Sequence, residues 1–154
     1  MDEVLAAAFE QAAGNDLAIT IEAMAAEDDA VGKLRAFFRT YASTDQDWAF
    51  QLWLDAWAEA SRRPALRRTS QRLNVAWQQL LATTIRNGVA DASLESADPD
   101  GAAWRIISLL DGLSLQVVAH RSTLDRATVF NWVTRTTEIE LALPTGALTA
   151  SVPV

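Results

Sequence analysis

The chain contains a single histidine, the residue type that most often performs acid–base chemistry near neutral pH. That residue is His120, so a Ser-His-Asp arrangement or a histidine general base would have to use it. It falls in the last turn of a predicted helix, where a protonated imidazole interacts favourably with the helix C-terminus. We therefore predict a structural role for His120 and no catalytic residues.

The acidic residues also show no pattern that is typical of a catalytic carboxylate pair or of a metal site. Asp55 and Glu59 share one helix face at i, i+4 spacing, but no Glu-x-x-His pair accompanies them. The chain has no cysteine, and its six glycines are scattered singly, which excludes thiolate sites and gives no phosphate-binding loop. The sequence predicts no enzyme, no metal and no cofactor. One alternative is an enzyme that uses Asp55 or Asp111 as an acid or base in a dry pocket.

The six tryptophans indicate a binding function more strongly, because each supplies a large apolar face and one N–H donor. Isolated polar residues lie near them in sequence, which is the composition of an apolar pocket with a few orienting groups. We predict a small-molecule pocket among helices two to five, lined by Tyr41, Trp48, Gln51, Trp77, Leu80, Trp104, Ile107 and Asp111. The alternative is that the tryptophans fill the core.

Length, composition and charge limit the number of domains and the kinds of partner that the chain can have. The chain has 154 residues, half of them hydrophobic, which suits one compact domain. Its net charge is -7, the wrong sign for holding nucleic acid phosphates. The basic cluster of Arg62, Arg63, Arg67, Arg68 and Arg72 is predicted to be a solvated face. With an acidic N-terminus and no uninterrupted apolar span, the protein is expected to be soluble and cytoplasmic, without a membrane partner.

Helical periodicity runs through nearly the whole chain, which predicts an all-α fold of six helices. Caps and breakers place the helices as follows: Asp2 to about Ala26, a second after Asp28-Asp29, a third after Thr44 or Asp45, a fourth from Pro64 to Gly88, a fifth from Asp98-Pro99, and a sixth capped by Ser122 and Thr123. The third helix, apolar around its axis, is expected to be central. The domain spans residues 1–143, and the tail from Pro144 is predicted to be disordered.

The last two helices form a predicted hairpin with more apolar surface than one neighbour could cover. Gly112, in the middle of the fifth helix, suggests the close approach of another helix. We predict a homodimer whose interface contains Leu110, Leu113, Val117, Val129, Trp132, Val133, Thr136 and Ile139.

Four motifs together resemble a known family. They are the RRPALRR stretch at residues 62–68, Trp77-x2-Leu80-Leu81, Ile85-x2-Gly88 and Leu110-Asp111-Gly112-Leu113. In this order they resemble the C-terminal ligand-binding and dimerisation domain of TetR-family transcriptional regulators, in the subgroup of betaine-regulator type. The resemblance implies a six-helix sensor domain with a small-molecule effector pocket. It also implies a homodimer held by a four-helix bundle from the last two helices of each protomer.

The helix-turn-helix segment that the family has upstream does not occur in these residues. We therefore expect this chain to sense and dimerise, with DNA bound only through the missing head. A fragment, a mis-assigned start and a natural protein without a head would each explain the difference. A helical interaction protein without any ligand is the alternative function.

Overall fold

The computed structural model describes residues 1–42, 47–120 and 124–149, apart from the side chains of Asp47 and His120. The predicted role of the His120 side chain therefore lies outside the described residues. Within these ranges the chain is all-helical, which confirms the predicted fold class. The six helices are α1 (Asp2–Ala25), α2 (Ala30–Ala42), α3 (Asp47–Ala60), α4 (Pro64–Ala90), α5 (Pro99–His120) and α6 (Arg126–Glu140).

Helix α4 is the centre of the bundle. It packs against α1, α2, α3 and α5, and its inward stripe includes the buried residues Leu73, Trp77, Leu81 and Ile85. Pro64 at its first turn is suited to that position, since proline has the required φ and no N–H to leave unpaired. The longest helix thus forms the surface on which the other elements are assembled.

Helix α3 is less central than its sequence predicts. Ala49, Phe50 and Trp53 are buried on its inner face, whereas Trp48 is 49% exposed and Gln51 is also exposed. Trp48 precedes Phe50 by two residues, which places it about 200° around the helix axis. The expectation of a central α3 was wrong. The helix packs against α1, α4 and α5 on one side, and its opposite side faces solvent although it also contains apolar residues.

Side-chain caps define three helix starts. Asp29 accepts a hydrogen bond from the Gly32 N–H at 2.6 Å, and Asp98, followed by Pro99, accepts one from the Gly101 N–H at 3.0 Å, as predicted. The cap of α6 is Asp125, which accepts from the Thr128 N–H at 2.7 Å. The predicted caps Ser122 and Thr123 precede this residue and lie outside the described ranges, as do Thr44 and Asp45.

Gly88 does not end α4, which continues to Ala90. A Cβ atom at Gly88 would lie 2.5 Å from Leu94 Cδ1 and 2.8 Å from the Ala30 Cβ. Glycine is therefore required there by close packing inside the domain, rather than by the termination of the helix.

The segment after α6 is structured as far as Thr149, contrary to the disorder predicted from Pro144. Leu148 is 2% exposed and belongs to the core, and its N–H donates to the buried Glu138 carboxylate at 3.0 Å. The Arg35 Nε donates to the Ala147 carbonyl at 2.6 Å. These contacts bind residues 144–149, which we call the C-terminal strap, across α2 and α6. Disorder was predicted because most residues of this segment are small or polar. The single leucine, Leu148, is the residue that anchors the segment to the core.

The basic cluster at the start of α4 forms ion pairs with α1. Arg63 contacts Asp2 at 2.6 Å and Arg72 contacts Glu10 at 2.8 Å. Both pairs are partly exposed, so each adds little stability by itself. They align the N-terminal half of α1 along α4.

Helix α5 is long and apolar enough, by length and composition alone, to cross a membrane. Its span Pro99–Ala119 has a mean hydropathy of 1.3. This criterion is a weak one, because core helices of water-soluble proteins also meet it. Only 33% of the window is buried inside the protomer, so the described residues leave part of the apolar surface of α5 uncovered.

Candidate functional site

Five helices enclose a narrow cleft that contains two aspartates, which we call the acidic cleft. Its empty volume of about 390 Å³ includes space that is open to solvent. α1 contributes Asp16 and α2 contributes Tyr41, while the other lining residues come from α3, α4 and α5: Ala49, Phe50, Trp53, Trp57, Asn74, Trp77, Ile107 and Asp111.

The carboxylates of Asp16 and Asp111 are the charged groups of this cleft. Asp16 is only 6% exposed, and its position on α1 follows from the inward stripe of Ala13, Leu17 and Thr20. Burial raises the pKa of Asp16 and raises the pKa of Asp111 to about 7, because a low-dielectric surrounding disfavours the charged form. Near neutral pH, Asp111 is therefore close to half ionised.

Hydrogen-bond donors do not compensate these carboxylates. Across the described ranges, neither Asp16 nor Asp111 accepts a hydrogen bond or forms an ion pair with another residue of the protein. Burial first, and then the charges of Asp111 and Asp16, raise the pKa of the Tyr41 hydroxyl well above 10. Tyr41 is thus a neutral phenol within the electrostatic reach of both carboxylates.

Aromatic rings form most of the walls. The Tyr41 ring lies 5.7 Å from Trp77 and 5.7 Å from Phe50, measured between ring centroids. Trp53 and Trp57 are 5.6 Å apart and tilted by 53°. Such tilted contacts hold the rings in place, since their quadrupoles favour offset and edge-on arrangements.

A second cleft of about 390 Å³, which we call the apolar cleft, lies behind Tyr41 and Phe50. These two residues line both clefts. The remaining walls come from α2, α5 and α6, and they are Phe38, Leu110, Ser114, Val117, Val118, Arg126, Val129, Phe130 and Val133. The Arg126 guanidinium donates to the Tyr41 carbonyl at 3.2 Å and lies 5.9 Å from the centre of the Phe50 ring.

The described residues contain no group of three or more histidine, cysteine or acidic side chains that could hold a metal ion. What the two clefts offer is a set of apolar and aromatic surfaces with a few fixed polar groups. Such an arrangement suits the reversible binding of a small organic molecule.

The family of the chain follows from a sequence match that includes most of this site. Residues 30–142 match the family model of the BetI-type transcriptional repressor, C-terminal domain. The chain belongs to this family of TetR-type regulatory domains. No significant match was found among curated proteins or solved structures. In this BetI-type domain, α1 and its Asp16 precede the matched residues.

Half of the predicted ligand residues line the acidic cleft. These are Tyr41, Trp77, Ile107 and Asp111. Leu80 is instead a partly buried residue packed against the hydrophobic core. Gln51 is exposed, and its side-chain amide donates to Asp55 at 2.9 Å.

Trp48 and Trp104 are also absent from both clefts. Trp48 is on the outer side of α3, as described above. Trp104 is 39% exposed and is seven residues before Asp111, which corresponds to about 10 Å along the helix. Trp104 lines neither cleft and is exposed, like Ser108 and Gly112. Helical periodicity puts Trp104 on nearly the same face as Asp111, but it does not indicate how far along that face a cleft extends.

Sequence reasoning missed the contribution of α1 and several residues of the walls. The sequence does contain a signal for Asp16, which is an acidic residue on an otherwise apolar helical stripe. Phe50, Trp53 and Trp57 were recognised as apolar but not assigned to the site, because the pattern of α3 does not indicate which of its faces lines a cavity.

The predicted dimer residues fall into two groups. Leu110, Val129 and Val133 are buried inside the protomer and cannot meet a partner directly, so their assignment is corrected. Leu113 and Val117 are half-buried and pack against the core. The remaining three, Trp132, Thr136 and Ile139, follow one another at helical spacing on the exposed side of α6.

Proposed function

We propose that this BetI-type domain is the effector-sensing and dimerisation domain of a TetR-like transcriptional repressor. The acidic cleft is the main support, because it combines two carboxylates that have no hydrogen-bond or ion-pair partner among the described residues with aromatic walls, inside a chain of this family. Its effector is a small apolar or amphipathic molecule. The protein acts as a soluble cytoplasmic regulator rather than an enzyme, and DNA binding belongs to a head outside these residues.

The homodimer forms through the outward stripes of α5 and α6. Trp132 is 50% exposed, and Ile139 and Trp104 are also exposed large apolar residues. Apart from its chain neighbours and the nearby backbone of α5 itself, no heavy atom of the described residues lies within 4 Å of the position that a Gly112 Cβ would occupy, so a partner helix has room to approach the α5 backbone there. A four-helix bundle of α5 and α6 from two protomers would cover this surface.

Helix α1 is suited to transmit binding to the rest of the regulator. Asp16 places the middle of α1 in the acidic cleft, and the ion pairs of Arg63 and Arg72 hold its N-terminal half on α4. A ligand that displaces α1 at Asp16 would therefore transmit the displacement along α1 to its N-terminal half. In a TetR-type regulator such a shift alters the spacing of the two DNA-binding heads.

A thermal-shift screen of the purified chain against small amphipathic and apolar compounds tests this function. We expect at least one compound class to raise the melting temperature in a saturable manner, since a ligand of the folded state stabilises it by mass action. Trp77→Phe, which replaces an indole in the wall of the acidic cleft by a smaller ring, should weaken that response, whereas Trp48→Phe on the exposed side of α3 should not. A dimer that binds none of the compounds would favour the interaction protein without a ligand.

A further inference from the structure

We propose that the ligand-free domain responds to pH through the acidic cleft: uptake of a proton by Asp16 of α1 or Asp111 of α5 closes the cleft, and ionisation of both carboxylates opens it to water. This inference goes beyond the proposed function, because it concerns the domain without an effector. It rests on the placement of the two carboxylates and on two features of α1 beside Asp16.

The two carboxylates lie on helices that the cleft separates. α1 packs against α2, α3 and α4, whereas α5 packs against α3, α4 and α6, and the described parts of α1 and α5 do not pack against each other. Asp16 and Asp111 nevertheless line the same cleft. Their protonation therefore acts on a gap between two helices, which can change its width more easily than a packed interface can.

No positive charge among the described residues lines this cleft. Its remaining titratable residue is Tyr41 from α2, and α3 and α4 contribute only uncharged side chains, among them Asn74. α6 does not line the acidic cleft, and its Arg126 lines the neighbouring apolar cleft. An ionised pair of carboxylates therefore needs water here. A protonated carboxyl group can instead donate a hydrogen bond to a neighbouring oxygen atom.

The proton is exchanged near neutral pH. Burial raises the pKa of Asp111 to about 7, so that this residue is about nine-tenths protonated at pH 6 and about nine-tenths ionised at pH 8. Burial also raises the pKa of Asp16. Burial first, and then the charges of both aspartates, raise the pKa of Tyr41, which indicates that the two carboxylates act on one small region. The cleft is thus expected to be closed below pH 7 and open above it.

The α1 wall contains a glycine that packing does not require. Gly14 precedes Asp16 by two residues. Apart from its chain neighbours and the nearby backbone of α1 itself, no heavy atom of the described residues lies within 4 Å of the position that a Gly14 Cβ would occupy. Glycine weakens the interior of a helix relative to alanine and gives its backbone more freedom. α1 can therefore bend close to its carboxylate.

The hydroxyl of Thr20, one turn after Asp16, is also unsatisfied in this state. It is buried and has no hydrogen-bond partner among the described residues. Thr84 and Thr137, which are also buried in helices, donate to the carbonyl four residues earlier at 2.9 Å and 2.8 Å. A buried hydroxyl without a partner is unfavourable. Water that enters the open cleft would solvate this side of α1, where Asp16 and Thr20 are neighbours at i, i+4 spacing.

Access to the cleft can be measured by NMR of the ligand-free full chain, with a neutral nitroxide in solution that attenuates the indole N–H signals it can reach. We expect the signals of Trp53, Trp57 and Trp77, which line the cleft, to be attenuated roughly twofold more at pH 8 than at pH 6, with a midpoint near pH 7. Trp48 and Trp132, 49% and 50% exposed, are internal controls whose attenuation should not change.

Five variants assign this response. Asp111→Asn should abolish it, and Asp16→Asn should move its midpoint to lower pH, because a second negative charge no longer opposes the ionisation of Asp111. Gly14→Ala should reduce the attenuation at pH 8 without moving the midpoint. Asp55→Asn, at an exposed carboxylate, and His120→Asn, at the single histidine of the sequence, are matched controls and should behave like the wild type.

The outcomes separate this inference from the proposed function. Equal attenuation of the cleft tryptophans at pH 6 and pH 8 would overturn it, as would a response that persists in Asp111→Asn or is lost in His120→Asn. An unchanged midpoint in Asp16→Asn would overturn the role of the second carboxylate.

Circular dichroism at both pH values checks that each variant is folded, and Asp111→Ala tests the same carboxylate if Asp111→Asn is not. A domain that responds to pH but binds no compound in the thermal-shift screen would lose the sensing function and keep this inference. A domain that binds a compound but does not respond to pH would lose only the inference.

Discussion

At the scale of single residues, Asp111 is the residue whose chemistry depends most on the fold. Its carboxylate is held among aromatic and aliphatic side chains without a donor, and its pKa is about 7 instead of 3.8. The ionised form is thus disfavoured in the folded state. A ligand site that keeps an uncompensated carboxylate loses stability in the absence of the ligand, a common cost of functional residues.

Asp111→Asn should stabilise the ligand-free protein at high pH. Because the folded pKa exceeds the unfolded one, the contribution of Asp111 to stability falls as pH rises from about 4 to about 7, by up to roughly 4 kcal/mol for a shift of about three units. We expect the variant to be more stable than wild type at pH 8 and to lose most of that advantage at pH 4.5, measured by urea denaturation. A gain of the same size at both pH values would contradict the assigned pKa. Asp55→Asn serves as the exposed control.

Gly88→Ala and Gly14→Ala should have opposite effects. The new methyl group at Gly88 would overlap Leu94 and Ala30, and overpacking of this kind costs about 1–3 kcal/mol. Gly14 has no heavy atom within 4 Å of the added Cβ, so alanine should stabilise α1 by up to about 1 kcal/mol. Thermal denaturation of the two variants measures the difference. A neutral Gly88→Ala would show that α4 and the segment at Leu94 are packed less closely than described.

At the scale of the helices, their existence could be predicted from sequence far better than the roles of their faces. Capping residues such as Asp29 and Asp98 and the proline at the start of α4 are local signals, and they predicted the helix starts correctly. The faces of α3 and α5 depend on which helices pack beside them. For this reason Trp48 and Leu110 were assigned to surfaces that they do not reach, whereas Tyr41 and Asp111, both predicted to contact a ligand, line one cleft.

The C-terminal strap is an element that sequence pattern did not predict. Leu148→Ala should destabilise the domain by about 2–4 kcal/mol, because it removes a fully buried side chain from the core. Thr149→Ala, at the exposed neighbouring residue, should change the free energy of unfolding by less than about 0.5 kcal/mol. Equal and small effects of both substitutions in urea denaturation would show that the strap does not pack on the bundle in solution.

At the scale of the whole molecule, the acidic cleft and the proposed dimer surface share one helix. Asp111 of α5 lines the acidic cleft, and the next residue, Gly112, belongs to the outward stripe. A change at the cleft is thus one residue away from the proposed dimer surface. This arrangement allows the occupancy of the cleft to affect the geometry of the dimer and, through α1, that of a connected DNA-binding head.

Trp132→Glu should convert the dimer into a monomer at micromolar concentrations. A buried charge without a partner in the α5–α6 bundle would be strongly unfavourable. Ile19→Glu is the matched control, since Ile19 on α1 is 51% exposed and Trp132 is 50% exposed. Sedimentation velocity gives the mass of each variant. A monomeric wild-type protein, or a Trp132→Glu variant that remains dimeric, would refute the proposed interface.

The most direct test is a crystal structure of the chain in complex with the tightest binder from the thermal-shift screen. We predict that the ligand contacts Tyr41 and Asp111 in the acidic cleft and that two protomers pack through α5 and α6 about a two-fold axis. A ligand bound elsewhere, with the cleft filled by its own tryptophans, would contradict the assignment of this domain as a sensor through the acidic cleft.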